Sequence, residues 1–379
     1  MPRIALDYTP AIEQRGGIGR YVRDLTAALA HIDADSDYQL FVAGATHSSL
    51  PKAPAANFMW RATPASPRWL ARLWHRARFP LPVEIFTGRI DLFHATDFVL
   101  PPTLPAARTL LTVHDLSFVR VPEAASPPLK AYLDAVVPRS VARAQHILAD
   151  SQATKDDLVA LYGAPADKIT VLYCGVDARF QPVRDRGLLG ACRRKYGLAG
   201  VDYLLSVGTV QPRKNYSRVI EAVAAARQQG CDLHYAIAGG KGWLEDEMRA
   251  TIARLGAQPY VHLLGLADDA DLPALYSGAR ALVMASLYEG FGLPALEAFA
   301  CGTPVISSNL SSLPEVAGEA ALLVDPYDVA GIAEAVLALE KQPALRQRLA
   351  QAGYQRAAGF TWQRSARQLR SIYAALLGE

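Results

Sequence analysis

The segment ALVMASLYEGFGLPALEAF, residues 281–299, contains one complete strand, loop and helix of an α/β fold. Its first residues form an apolar run that predicts a buried strand at 281–284, and Pro294 is suited to the first turn of a helix. The glycines on either side of Phe291 free backbone N–H groups just before that helix, whose N-terminus favours negative charge. The segment therefore predicts a phosphate-binding loop at the end of a strand.

Two glutamates lie in the same segment. Glu289 is in the loop and Glu297 is about one turn into the helix, so both carboxylates can flank one ligand as acceptors for hydroxyl groups. Helix capping or surface charge would explain either glutamate alone, but not the combination of glycine, proline and glutamate. The pattern favours a ligand that carries both phosphate and sugar hydroxyls.

The alternation of strand and helix extends over the whole chain. Short apolar runs alternate with segments of helical periodicity, which is typical of parallel βαβ units. Strands are predicted in the first half at 3–6, 38–42, 92–95, 109–113, 146–149 and 169–172. In the second half they are predicted at 203–207, 233–238, 261–263, 281–284, 304–307 and 321–324. The predicted fold class is α/β, with two doubly wound sheets.

The domain boundary is predicted in the aperiodic segment CGVDARFQPVRDR, residues 174–186, which combines glycine, proline and charge. The predicted domains are therefore 1–180 and 181–360. A last helix is predicted from residue 361 onward, and its periodicity alone does not indicate which domain it joins.

Composition excludes several classes of protein. The 379 residues include 39 Lys and Arg against 36 Asp and Glu, and the resulting charge of +3 argues against a nucleic-acid partner. The four cysteines are far apart and predict neither disulfides nor a zinc site. The N-terminus has no signal-peptide pattern, and no apolar run approaches the roughly 20 residues of a membrane span. We expect a cytoplasmic protein that is soluble or at most peripheral to a membrane.

A pair of cations follows the strand predicted at 203–207. The motif GTVQPRKN, residues 208–215, begins with Gly208, places Arg213 beside Lys214 and precedes a predicted helix. Ligands of α/β sheets bind at the carboxyl ends of strands, where Arg and Lys side chains can neutralise two phosphates. Solvated loop charges are the alternative, but the position of the pair favours phosphate binding.

A glycine pair, Gly16 and Gly17, precedes a predicted helix near the first strand and would let backbone amides approach an anion. The adjacent glycines do not match the dinucleotide fingerprint G-x-G-x-x-G. An ordinary turn would explain them equally well.

One stretch, residues 59–82, departs from the alternating pattern. It interleaves arginines with tryptophans, and Leu70, Leu73 and Trp74 would share one face of a helix. A basic helix with a Trp and Leu face suits an anionic membrane surface. Packing of that face on the first sheet is the alternative.

Several motifs together resemble a known family. The blocks EGFGLPALEAFACGTPVISSNLSSLPEVAGEAALLVDP, GTVQPRKN and GGIGRY are similar to those of the retaining glycosyltransferases of group 1, also called glycosyltransferase family 4. Two glutamates separated by seven residues, here Glu289 and Glu297, are that family's signature. The resemblance covers nearly the whole chain. It implies the GT-B fold, in which two Rossmann-like domains face each other and the final helix, 361–379, returns to the first.

The resemblance also implies roles for individual residues. Arg213 and Lys214 would hold the donor diphosphate and support catalysis. Glu289 would contact the transferred sugar, and Glu297 the ribose hydroxyls. His114, in the motif TVHDLSF, would contact the sugar near its reacting carbon, although a lone histidine after a strand is more often structural. The donor-binding set is completed by Gly16, Gly17, Gly208, Gly290, Phe291, Gly292 and Leu293.

The chemistry follows from charge. Cleavage of the bond between the anomeric carbon and phosphate leaves negative charge on the nucleoside diphosphate, which Arg213 and Lys214 would stabilise as a metal ion otherwise does. No cofactor and no metal are therefore expected, and the D-x-D pairs at 33–35 and 269–271 are interpreted as structural. The sequence nominates no nucleophilic carboxylate, and the resemblance implies same-face attack by the acceptor.

The motifs GTVQPRKN and TVHDLSF look like those of O-antigen and exopolysaccharide mannosyltransferases. This similarity implies GDP-mannose as the nucleotide-sugar donor and a glycan or lipid-linked acceptor, in the synthesis of bacterial surface polysaccharide. UDP- and dTDP-linked glucose or rhamnose stay open, because the base-reading residues lie in no identifiable motif. A lipid-linked acceptor would suit peripheral contact of 59–82 with an anionic membrane, on the inner face of the plasma membrane.

Two alternatives come from other classes of protein. A nicotinamide-dependent oxidoreductase would also have doubly wound sheets, but a G-x-G-x-x-G turn after the first strand is lacking. A non-enzymatic sugar-binding protein would not need cations directed at phosphate. Both are therefore less well supported by the motifs than a transferase.

Overall fold

The computed structural model describes residues 1–14, 16–242 and 244–378. The chain divides into two compact units. The first contains Met1–Leu116, Pro128–Gly175 and the chain from Trp362 onward, and the second contains Ser117–Pro127 and Val176–Thr361. Compared with the predicted domains, residues 117–127, residues 176–180 and Thr361 lie in the second unit instead of the first.

The segment Ser117–Pro127 belongs to the second unit although it lies in the first half of the chain. Its buried residues Val121 and Ala124 pack against Tyr288, which explains its position. A contact between side chains so distant in sequence leaves no local pattern, so the sequence does not reveal it.

The first unit is built on a parallel sheet of seven strands, in the order β3-β2-β1-β4-β5-β6-β7. The strands are β1 (Arg3–Asp7), β2 (Asp37–Ala43), β3 (Phe58–Thr63), β4 (Leu92–Ala95), β5 (Arg108–Val113), β6 (His146–Ala149) and β7 (Ile169–Val171). Every residue of β4 is buried, because helices cover both faces of such a sheet.

The second unit contains a parallel sheet of six strands, in the order β10-β9-β8-β11-β12-β13. The strands are β8 (Tyr203–Val207), β9 (His234–Ala238), β10 (Val261–Gly265), β11 (Ala281–Met284), β12 (Val305–Ser308) and β13 (Ala321–Val324). This order is that of a Rossmann fold, and it reverses between β8 and β11. The loops that follow these two strands therefore border the usual ligand crevice.

Helices connect the strands of each sheet. In the first half of the chain they are α1 (Thr9–Glu13), α2 (Gly17–Ile32), α3 (Pro67–Ala71), α4 (Glu84–Thr87), α5 (Ser117–Arg120), α6 (Pro127–Arg143) and α7 (Gln152–Tyr162). In the second half they are α8 (Arg186–Lys195), α9 (Tyr216–Gln228), α10 (Asp246–Arg254), α11 (Leu272–Gly278), α12 (Leu293–Ala300), α13 (Leu313–Ala317), α14 (Val329–Lys341), α15 (Pro343–Ala357) and α16 (Trp362–Leu377). The helical periodicity of the sequence predicts a helix at residues 243–255, of which Trp243 lies outside the described residues. None of the helices in the described part of the chain is long and apolar enough to cross a membrane.

The interpretation of 59–82 as one basic helix is wrong. The stretch begins within β3, a strand that was not predicted, and continues into α3 and a π-helical turn at Arg72–Arg76. β3 is an edge strand with several half-exposed residues, including Arg61, so it lacks the apolar run that marks the other strands.

The side chains of this stretch divide into two groups. Leu70 and Trp74 are buried, and the Trp74 indole donates a hydrogen bond to the Leu81 carbonyl at 2.8 Å. Trp69 and Phe79 are exposed to solvent. Packing on the first unit therefore accounts for one part of the apolar face, while the other part is free on the surface.

The last helix, α16, packs on the first unit, as the resemblance implies. The Tyr373 hydroxyl lies 2.7 Å from His94 Nδ1 in the buried core, and Ser365 Oγ donates to the Tyr173 carbonyl at 2.6 Å. Such hydrogen bonds tie the end of the chain to β4 and to the segment after β7.

Candidate active site

The two predicted phosphate-binding loops meet at the carboxyl ends of β8 and β11. The backbone N–H of Leu287 donates to the carbonyl of Arg213 at 2.8 Å and so joins the loops. This contact follows from the Rossmann strand order, in which β8 and β11 are neighbours. The structure therefore brings Arg213, Lys214 and Glu289 together.

The Glu289 carboxylate lies between two cations. Arg213 Nη1 donates to Oε2 and Lys214 Nζ donates to Oε1, each at 2.6 Å. The exposed fractions of the Arg213, Lys214 and Glu289 side chains are 18%, 10% and 7%. We call these three residues the carboxylate clamp.

The clamp is fully charged at neutral pH. Burial alone raises the pKa of Glu289, but the positive charges of Arg213 and Lys214 outweigh burial and lower the pKa to about 2. Two cations and one carboxylate leave a net positive charge in a largely desolvated site. An incoming phosphate would balance that charge.

Gly208 makes room for Lys214. Its φ of +148° is in a region that L side chains rarely adopt, and a Cβ there would lie 3.0 Å from Lys214 Cε and 3.2 Å from Nζ. The Gly208 carbonyl accepts a hydrogen bond from the Tyr216 hydroxyl at 2.9 Å. The glycine thus allows the lysine to pass close to the backbone on its way to Glu289.

Ser312 holds the backbone of the loop at residues 289–292. Its hydroxyl oxygen lies 2.8 Å from the carbonyl of Glu289 and 2.9 Å from that of Phe291. Gly292 has a φ of +115°, and a Cβ there would lie 2.8 Å from Leu313 Cδ2, so only glycine fits. Leu293 begins α12 directly after this residue, and Gly290 is buried within the loop. The loop therefore leads through a glycine of positive φ directly into the N-terminus of α12, the end of a helix that favours negative charge.

Glu297 lies inside the second unit. It is buried on α12, and its Oε2 accepts a hydrogen bond from the Tyr276 hydroxyl at 2.7 Å. The structure does not bring Glu297 into the carboxylate clamp. Its predicted contact with ribose stays a prediction.

His114 is buried in the first unit, after β5. Its Nδ1 lies 2.7 Å from Asp150 Oδ2 and its Nε2 lies 2.9 Å from the carbonyl of Thr96. Because both partners are acceptors, both ring nitrogens are best protonated. Burial alone lowers the pKa of His114, but the Asp150 charge and hydrogen bonds raise it to about 9. The ring is thus a buried imidazolium, packed edge-on to Tyr21.

Gly16 and Gly17 lie at the start of α2, where Gly16 is the capping residue. A Cβ on Gly16 would meet no atom within 4 Å, so backbone there is open to approach. By contrast, a Cβ on Gly19 would lie 1.8 Å from the Gln14 carbonyl oxygen, so that glycine serves packing. Arg15, which precedes the pair, lies outside the described residues.

The D-x-D aspartates make structural contacts. Asp33 Oδ2 accepts from the hydroxyls of Ser36 and Tyr38, at 2.9 and 2.7 Å. Asp271 directly precedes α11 and accepts from the Tyr196 hydroxyl at 2.9 Å. Across the residues that the structure describes, His, Cys, Asp and Glu form no group of three or more that could hold a metal ion.

Sequence reasoning missed three supporting residues: Asn215, Ser312 and Asp150. Asn215 has a left-handed backbone, and its side-chain amide donates to the carbonyls of Ala285 and Pro326 at 2.9 and 2.7 Å. An asparagine between a cation pair and a helix could have indicated this turn from the sequence, because asparagine tolerates the left-handed backbone conformation. Ser312 and Asp150 act over long sequence distances and give no local signal.

Two family models match the chain in succession. The model described as Glycosyltransferase Family 4 matches residues 15–180, and that of Glycosyl transferases group 1 matches residues 192–356. The O-antigen chain mannosyltransferase B of Escherichia coli is 31% identical over 375 residues, which cover 95% of this chain and 96% of that protein. The chain therefore belongs to the group 1 glycosyl transferases and is a glycosyltransferase.

Solved structures show the same fold. Sucrose-phosphate synthase from Thermosynechococcus elongatus has a TM-score of 0.78 at 23% identity, over 100% of both chains. HepE from Anabaena, in complex with UDP and glucose, has a TM-score of 0.75 at 18% identity, over 99% of this chain and 100% of that one. The predicted GT-B architecture of two Rossmann-like domains is confirmed.

Proposed function

We propose that the protein is a retaining mannosyltransferase that transfers mannose from GDP-mannose to a glycan or lipid-linked acceptor of bacterial surface polysaccharide. The carboxylate clamp carries the proposal, because it presents two partly buried cations at the ligand crevice of a Rossmann sheet. The name of the Escherichia coli relative supports the choice of mannose. The UDP and glucose bound by HepE keep a UDP-sugar as the alternative donor.

The clamp supplies the electrostatic part of the reaction. As the bond between the anomeric carbon and the phosphate oxygen breaks, negative charge develops on the leaving diphosphate. Arg213 and Lys214 would share their hydrogen bonds between Glu289 and that diphosphate, so their charge is held in place before the reaction. Two fixed cations would perform the task of a metal ion, and none is required in this proposal.

Glu289 is a poor nucleophile in this arrangement. Both of its oxygens bind cations and its pKa is about 2, so little negative charge is available to attack an anomeric carbon. Retention would therefore proceed by attack of the acceptor hydroxyl on the face that the diphosphate leaves. Glu289 would instead orient the sugar by accepting hydrogen bonds from its hydroxyl groups.

The remaining roles concern positioning. Glu297 would accept hydrogen bonds from the ribose hydroxyls, and the backbone at Gly16 and Gly17 would approach the diphosphate. His114 would donate to the sugar only if Nε2–H exchanged the Thr96 carbonyl for a sugar oxygen. This exchange replaces one hydrogen bond by another and so has a small net cost.

The donor is tested by thermal shift with GDP, UDP, dTDP, ADP and NAD, each with and without its sugar where one exists. A ligand that binds the folded state raises the melting temperature according to its concentration and affinity. We expect GDP and GDP-mannose to give the largest shifts. A UDP or dTDP preference would overturn the choice of mannose, and a shift with NAD alone would overturn the transferase.

We further propose that an exposed surface of the first unit contacts anionic membrane. Trp69 and Phe79 are 51% and 53% exposed, and the arginines nearest to them in sequence are also exposed: Arg68, Arg72, Arg76 and Arg78. Each basic residue near an anionic bilayer contributes about 1 kcal/mol, and aromatic side chains insert at the interface. Such contact would place the enzyme peripherally at the inner face of the plasma membrane, near a lipid-linked acceptor.

Vesicle sedimentation tests the membrane contact. The double variant Trp69→Ser with Phe79→Ser should lose most of its binding to anionic vesicles, and binding of the wild type should weaken as salt rises. Tyr354→Ser is the matched control, because Tyr354 is 52% exposed but lies in the second unit. Absence of wild-type binding at low salt would refute the contact.

A further inference from the structure

A cavity lined by charged residues lies at the amino-terminal ends of the strands in the first sheet. It has a volume of about 280 Å³ and lies where β1, β2 and β3 begin and where the chain turns after α4. Its polar lining consists mainly of Arg3, Asp37, Gln39, Asn57, Arg61 and Arg89. We call it the three-arginine pocket.

The positive charges of this pocket outnumber its negative charges. Arg3, Arg61 and Arg89 line it, and Asp37 is the single carboxylate in the lining. Within the described chain, none of the three guanidinium groups forms an ion pair. Arg61 Nε donates to Gln39 Oε1 at 2.6 Å. The neighbouring Asp91 carboxylate accepts from the backbone N–H of Arg3 rather than from its side chain.

At the amino-terminal ends of the strands in the second sheet, by contrast, an arginine is paired with carboxylates. Arg280, at the amino end of β11, lies 2.6 Å from Asp202 and 3.3 Å from Glu340. Among the described residues, no carboxylate forms an ion pair with an arginine of the three-arginine pocket. Three positive charges therefore share one small cavity. Like charges at short range destabilise one another, and a bound anion removes that cost.

The chemistry of the lining selects the anion. The planar guanidinium group offers paired donors that match the oxygens of phosphate, and the half-buried Arg61 is already oriented by Gln39. The cavity is near the lower end of the range of about 300–1,000 Å³ for small-molecule sites, so it suits one compact phosphate group. We propose that the three-arginine pocket binds a phosphomonoester, either free or as the headgroup of an anionic lipid.

This site differs from the proposed donor site. Nucleotides bind α/β sheets at the carboxyl ends of the strands, whereas the three-arginine pocket is at the amino ends of strands in the other unit. Failure of the proposed donor site would therefore not count against phosphate binding in the three-arginine pocket, and the reverse also holds.

Calorimetric titration with glycerol 3-phosphate tests the free ligand, and vesicles of phosphatidylcholine with and without phosphatidic acid test the lipid. The Lys214→Ala background weakens binding of the probe at the proposed donor site. We expect saturable binding of at least one probe. Arg61→Gln and Arg89→Gln should each weaken it at least about tenfold, as expected when a charge-assisted hydrogen bond is removed.

Arg108→Gln is the matched control, because Arg108 is exposed at the amino end of β5 on the same sheet edge but does not line the pocket. It should bind like the background protein. Arg89 is exposed, so its replacement should leave the fold intact even if that of Arg61 does not. Binding that is absent for both probes, or that is equal in the pocket variants and the control, would overturn the proposal.

Discussion

The carboxylate clamp of the second unit and the His114 site of the first are opposite arrangements of charge. In the clamp one buried carboxylate lies between two cations, whereas His114 is one buried cation between a carboxylate and a carbonyl. The three side chains of the clamp sum to one positive charge, whereas His114 and Asp150 sum to zero. The difference indicates that the clamp is suited to exchange partners with an anionic ligand, while His114 is held in place by its own unit.

Lys214→Ala should have the largest effect, because it removes half of the positive charge offered to the leaving diphosphate. We expect turnover to fall by at least about 100-fold, the scale for loss of one preorganised electrostatic donor. The measurement is release of GDP from GDP-mannose. Lys195→Ala, which removes a surface lysine paired with Asp271, should be near normal. Near-normal turnover of a folded Lys214→Ala variant would refute the role.

Glu289→Ala should separate the sugar from the nucleotide. If the carboxylate orients the sugar, the affinity for GDP-mannose should fall at least about tenfold while that for GDP is almost unchanged. Calorimetric titration of both ligands measures the ratio. Equal loss of both affinities would mean that Glu289 is structural or contacts the nucleotide.

Gly208→Ala tests the path of Lys214. The added Cβ would lie 3.0 Å from Lys214 Cε, so the side chain must move and turnover should fall about tenfold. Gly163→Ala is the control for backbone strain alone, because Gly163 also has a positive φ but open space around a Cβ. Both variants should lose about 1 kcal/mol of stability, since alanine disfavours positive φ. Unchanged turnover in Gly208→Ala would show that the lysine does not depend on this passage.

His114→Asn should change how the stability of the fold depends on pH. A histidine whose pKa is about 9 when folded and 6.5 when unfolded stabilises the fold fully below pH 6.5 and loses that contribution as pH rises through 9. The difference in free energy of unfolding between wild type and variant should therefore shrink between pH 6.5 and 9. Denaturant unfolding at several pH values measures it, and a constant difference would contradict the buried imidazolium.

Much of the fold could be predicted because the strands of a doubly wound sheet are buried on both faces. Strands such as β4 and β11 are buried throughout and consist almost entirely of apolar residues, so they are easily predicted from the sequence. β3 was missed for the same reason, since an edge strand that carries Arg61 needs no such run. The position of Ser117–Pro127 in the second unit rests on contact with Tyr288, which only the folded chain brings near.

The candidate site was predictable in its members but not in its internal bonds. The resemblance to the glycosyltransferases implies that Arg213, Lys214 and Glu289 bind one donor, and in the structure their loops follow neighbouring strands. That both cations bind the same carboxylate depends on side-chain placement, including the space left at Gly208. The partners of His114 are Thr96 and Asp150, which directly follow β4 and β6, and they too are brought to the ring only by folding.

The most direct test of the account is a calorimetric titration of GDP into the wild type, Lys214→Ala and Glu289→Gln. If the clamp passes its cations to a diphosphate, Lys214→Ala should weaken GDP at least about tenfold, because a charge-assisted hydrogen bond is lost. Glu289→Gln should bind GDP as tightly as the wild type or more tightly, since the competing negative charge is gone. Equal weakening in both variants would show instead that the three residues are a structural unit, and it would contradict the account.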